Sequence, residues 1–147
     1  MITFSELTSN KLTSNKPISL DSLNEGELEI GVSIPPDYCY LLLSSNGYSN
    51  IEGWQISIDG VNPIVEIDDF VSLEWLIKER VYDLKDEDAE IYRAKFLRIA
   101  GCLNQDRILI GFEKDVLNQI FLLDFDNDKL IKISDSIFDF INNKLIK

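Results

Sequence analysis

Four short apolar runs, set close together, constrain this chain most. Phe96–Ala100, Arg107–Phe112, Gln119–Asp124 and Lys129–Ile133 are each rich in Ile, Leu or Phe, and polar turns separate them. Parallel strands need a crossover of about a dozen residues or more, and these gaps are shorter. The runs therefore predict an antiparallel meander. Ile108-Leu109-Ile110 and Ile120-Phe121-Leu122-Leu123 are apolar at every position, which predicts central strands covered on both faces. Downstream, Ser136-Ile137-Phe138-Asp139 has the spacing of a capping box, with Asp in the Glu position. The helix it opens sets Ile137, Phe138, Ile141 and Leu145 on one face, which should dock on the sheet.

The first half reads as helical. In GVSIPPDYCYLLLSSNG, from Gly31 to Gly47, Pro36 suits a first helical turn and Asp37 complements the positive end of the dipole. Tyr38, Leu41, Leu42 and Ser45 share a face, widened by Cys39 and Leu43. Asn46-Gly47 supplies residues that tolerate the left-handed conformation at a helix end. Upstream, apolar residues at Leu20, Leu23, Leu28 and Ile30 predict a short helix over 24–30 that stops at Gly31, weakened by Gly26 by about 1 kcal/mol relative to Ala. Trp54, Ile56 and Ile58 alternate with polar residues as a half-buried strand does. Residues 63–67 read as an edge strand, because Pro63 cannot donate to a ladder. Asp68 or Asp69 is expected to cap a helix reaching Arg80. Trp54 and Trp75 are expected as core anchors.

Residues 1–17 contain a direct repeat, Leu7-Thr-Ser-Asn-Lys11 then Leu12-Thr-Ser-Asn-Lys16. Two copies are too few for a repeat architecture, so this segment is expected to be a flexible arm or a loosely packed edge before one domain over 18–147. Helices in the first half and strands in the second predict a single α+β domain, a mostly antiparallel sheet with helices packed on it. At 147 residues the chain can bury a substantial core.

Composition excludes several functions. A net charge of −12 disfavours direct nucleic-acid binding, since phosphate contacts need clustered Lys and Arg. The same field would speed encounter with a basic partner. No apolar run approaches the roughly 20 residues of a membrane helix, and MITFSELTSNK lacks a basic flank followed by an apolar core. A cytoplasmic protein is expected. The chain has no His, which removes Cys/His zinc sites, Ser-His-Asp triads and Cys-His dyads. Cys39 and Cys102 read as small buried hydrophobes, with no disulfide between them.

Asp124-Phe-Asp-Asn-Asp128 invites comparison with a calcium loop, but the sixth and twelfth positions are Lys129 and Asp135 where Gly and Glu are needed. A tight hairpin turn over 126–128 is the better reading. The other acids fall in turns and loops and read as solvated surface. No catalytic residue, metal or cofactor is expected. Asp83, Asp86, Glu87 and Asp88 cluster in an acidic stretch with little core content. They form the candidate partner-binding patch, with Tyr48 nearby as an exposed aromatic anchor.

The order of several blocks carries a resemblance. Leu28-Glu-x-Gly-x-x-Ile-Pro-x-Asp-Tyr38 comes first, followed by Leu41-Leu42 and Asn46-Gly47. Gly53-Trp54 comes next, then Phe96–Gly101 with Asp106–Ile110, then Gln119-Ile-Phe121 with Leu123-Asp124, and finally Ile133–Ile141. Together these resemble the SUKH superfamily, bacterial immunity proteins related to fungal Smi/Knr cell-wall assembly regulators. Two departures stand out. Residues 61–93 match loosely, and Leu103-Asn104-Gln105 replaces the Gly-rich turn often found between the paired strands. The resemblance implies a non-enzymatic, SUKH-like fold without cofactor that binds and neutralises a cognate protein toxin in the cytoplasm. A basic, nuclease-type toxin would suit an acidic inhibitor. The fungal relatives imply an alternative, a binding or scaffold module in cell-wall or signalling regulation.

Overall fold

The computed structural model describes residues 13–49, 54–56, 58, 65–82, 92 and 94–146. Strand β1 (Thr13–Ser14) leads to helices α1 (Leu20–Ile30) and α2 (Pro36–Ser44). Strands β2 (Tyr48–Ser49), β3 (Gln55–Ile56) and β4 (Val65–Phe70) follow. Helix α3 (Leu73–Ile77) continues as a π-helical turn, Lys78–Tyr82. Strands β5 (Phe96–Cys102), β6 (Arg107–Gly111), β7 (Ile120–Asp124) and β8 (Lys129–Ser134) form the second half. Helix α4 (Ile137–Asp139) runs into a second π-helical turn, Phe140–Lys144, and β9 (Leu145–Ile146) closes the described chain.

Every strand pairing is antiparallel, in the order β1-β2-β4-β5-β6-β7-β8, with β3 joining β4 to β9. The predicted meander is thus observed as β5–β8. Ile108, Leu109 and Ile110 have no exposed surface at all. Their two faces enter different clusters: Ile108 and Ile110 join the main core, while Leu109 packs with Tyr92 and Phe96 on the other side. On that side Phe121 meets Phe96 edge-on at 5.0 Å.

Three helix starts share a serine cap, while α2 starts at Pro36 without a side-chain cap. Ser19, Ser72 and Ser136 each accept a backbone N–H from three residues on, Ser22, Trp75 and Asp139 respectively. At Ser136 the reciprocal half of the box is relayed: Ser136 N–H donates to Ser134 Oγ, and that hydroxyl donates to Asp139 Oδ2 at 2.6 Å. Ile137 of α4 and Phe140 and Ile141 of the turn after it are buried against the core, but Leu145, expected on the same helix face, is buried instead in β9, where it pairs with Ile56.

Three expectations are corrected here. α1 begins at Leu20, not residue 24, because Ser19 caps it. Neither Asp68 nor Asp69 caps a helix. β4 runs on to Phe70, which pairs with both Tyr48 and Ala100, so the cap falls to Ser72. Residues 65–67 are also not at an edge. Val65 and Ile67 are buried, and β4 is bonded to β2, β3 and β5; Pro63 lies outside the described residues.

Two of the close-packed glycines sit beside the helices. Gly47 sits at φ +84°, where a Cβ would fall 2.9 Å from the Phe70 carbonyl. Gly26 lies against Leu73, whose methyls would be 3.0 Å from a Cβ. The helix weakness at Gly26 therefore has a use: it lets α1 approach α3 closely. Trp54 is buried as expected, whereas Trp75 is half-buried with the Arg98 guanidinium 4.6 Å above its ring.

Candidate functional site

The core-facing polar groups serve the fold. Burial pushes the Cys39 and Cys102 thiols up to about 12, helped by Glu27 and Asp106 respectively. Both cysteines are free, and both thiols stay protonated at neutral pH, so neither is an activated nucleophile. Asp106 and Glu79 depart from the expectation that the acids are solvated, since both are buried. Asp106 accepts the Phe125 N–H at 3.0 Å and the Asn104 amide at 2.9 Å, which ties the β5–β6 turn to the β7–β8 turn. Glu79 accepts the Tyr92 hydroxyl at 2.9 Å, and Arg107 donates to that hydroxyl at 2.6 Å. No group of three or more His, Cys, Asp or Glu among the described residues could hold a metal ion. The Asp124 side chain accepts both the N–H and the side-chain amide of Asn127, as the hairpin-turn reading of this segment requires.

Of the expected partner-binding residues, Asp83, Asp86, Glu87 and Asp88 lie outside the described residues. Tyr48 is described, and it is not exposed. It is 3% accessible, because its strand pairs with Phe70 and its ring meets the Phe70 ring edge-on at 5.9 Å. The neighbouring Asn46 is also occupied. Its side chain accepts the Leu73 N–H at 2.7 Å and donates to Glu74 at 2.7 Å, clamping the start of α3.

The described surface offers a different candidate. From Pro17 to Ile77 the chain has no Lys or Arg, against eleven Asp and Glu, so this segment carries nearly all of the net charge. The signal was legible as a missing residue type, which a search for motifs passes over. Within the segment α1 concentrates the feature. Asp21, Glu25 and Glu29 recur every four residues and are all exposed. Like charges at that spacing repel along a helix face. Glu27 and Glu29 also occupy the last turn, at the negative end of the dipole, where no basic residue offsets them. Glu27 has a local task, accepting the Ile34 N–H at 3.1 Å. The exposed acids have no such bond among the described residues.

Apolar residues share this face. Leu28 is 84% exposed and Leu20 is 60% exposed, although both belong to the apolar pattern that predicted the helix. Within α1, Leu23 and Gly26 alone are fully buried, where the helix meets α2, α3 and the Lys78–Tyr82 turn. An open cavity of about 460 Å³ lies beside the C-terminal turn, lined by Asn24, Glu27, Leu28, Gly31, Val32 and Ser33. Such a surface can hold a basic, partly apolar protein segment; it holds nothing arranged for bond chemistry. No helix among the described residues is long and apolar enough to cross a membrane.

The model of the SMI1 / KNR4 family (SUKH-1) matches residues 17–143. No curated protein matches the chain.

Proposed function

This chain belongs to the SMI1 / KNR4 family (SUKH-1), and from that premise we propose that it is a non-enzymatic immunity protein. It binds and neutralises a cognate bacterial toxin in the cytoplasm. Membership across residues 17–143 carries the reading. The charge distribution supports a basic partner: a segment of 61 residues with eleven acids and no cation attracts positive surface of the kind nuclease-type toxins carry. The partner-binding roles of Asp83, Asp86, Glu87 and Asp88 belong to the same proposal.

Co-expression with the product of the neighbouring gene tests this. The two should purify as a complex, and this chain should restore growth to cells producing that product. A neighbouring product that neither binds nor harms cells would overturn the reading.

A further inference from the structure

We propose that the C-terminal turn of α1 and the cavity beside it form a docking point for a Lys or Arg side chain of a basic protein partner, with Leu28 as the apolar contact. The proposal rests on the immunity reading for the partner's identity, but its geometry stands separately. Leu28 is the most exposed large hydrophobic side chain among the described residues. It also lines the cavity, which opens at the end of the helix where the dipole is negative. The last carbonyls of a helix lack intrahelical partners, so a cation there would meet those acceptors beside the Glu29 carboxylate and Glu27, whose Oε1 already accepts the Ile34 N–H.

Three features at this point disfavour an isolated helix. The acids repel one another, the dipole repels them, and a leucine is left in water. Gly31, at φ +76° with open space around it, closes the helix without adding bulk over the cavity. A cationic partner side chain beside an apolar one would relieve all three at once. A second copy of this chain fits poorly, since it would bring net charge −12 against the same face.

The test uses the full chain and the product of the neighbouring gene. Glu25→Lys with Glu29→Lys should weaken the complex by about tenfold or more, mainly through slower association. Leu28→Ala should weaken it mainly through faster dissociation. Asp126→Lys with Asp128→Lys makes the same change in net charge on an exposed hairpin turn and should leave affinity within about twofold. Equal effects of the two double reversals would mean that only the overall field matters and would overturn the docking point. If the neighbouring product does not bind at all, the immunity reading fails. A titration of N-acetyl-lysine methylamide into ¹⁵N-labelled protein then decides the docking point: amide shifts concentrated at residues 24–33 support it, and shifts scattered over all acids overturn it.

Discussion

Helix α1 and strand β6 are built to opposite specifications. Every residue of Ile108–Ile110 is fully buried, flanked by strands on both edges and apolar clusters on both faces. α1 has eleven residues, of which only Leu23 and Gly26 are fully buried, and its outer face holds three acids and two leucines in water. The contrast extends to their halves of the chain. The meander has intrasegment ion pairs, Lys95 with Asp115 and Lys132 with Asp135, both at 2.6 Å. The segment from 17 to 77 has acids and no cation of its own. The division lies between surfaces rather than halves: residues 17–77 also supply half of the main core cluster, while the outer face of α1 carries surface that the fold does not use. That division is what a protein acting by surface recognition needs.

Substitutions can break this comparison, and the largest effects belong to the buried positions. Phe140→Ala should lower stability by about 4 kcal/mol in denaturant unfolding, because the ring is completely buried under the sheet. The same chemical change at two leucines sharpens the contrast. Leu97→Ala, at a position with no exposure, should cost about 3 kcal/mol. Leu28→Ala should stay within about 0.5 kcal/mol. Equal losses at the two sites would show that α1 is packed against something the account omits. Next in size, Ser72→Ala should cost about 1 kcal/mol by removing the Trp75 N–H acceptor at the start of α3.

The smallest effects carry the sign that matters. Glu25→Lys should stabilise the free protein, by about 0.3 kcal/mol for each like-charge pair it removes, while weakening the complex. Stability and binding moving together would contradict a surface kept for recognition. The other small effect concerns pH. Hydrogen bonds from Ser134 and then Asn143 hold the Asp139 carboxyl below the ordinary carboxylate range. A depressed folded value gives stability that is present above about pH 3.9, the unfolded value, and is lost as pH falls through the folded one. Ser134→Ala should therefore flatten the acid limb of the stability profile below about pH 4 and leave neutral-pH binding unchanged.

Much of this was legible in the residues. The β5–β8 meander follows from apolar runs too close for crossovers, and α2 follows from Pro36, Asp37 and the stripe of Tyr38, Leu41 and Leu42. What misled were local signals overruled by pairing. Asp68 and Asp69 look like helix caps, but the Phe70–Ala100 pairing extends β4 past them. Tyr48 follows a polar turn, and only the Phe70 ring across the strand pair makes it a core residue. Leu28 belongs to a helical apolar pattern, yet which stripe of α1 faces inward is set by Leu73 pressing on Gly26. The second copy of the repeated segment shows the same dependence. Thr13 and Ser14 pair with Ser49 and Tyr48, while the first copy lies outside the described residues.

The most direct test of the central claim is the association rate of this protein with the neighbouring gene's product, followed across ionic strength. Recognition through the cation-free face predicts a rate that falls steeply as salt rises, and a much shallower fall once Glu25 and Glu29 are both lysine. A rate indifferent to salt, or a slope unchanged by those substitutions, would contradict it.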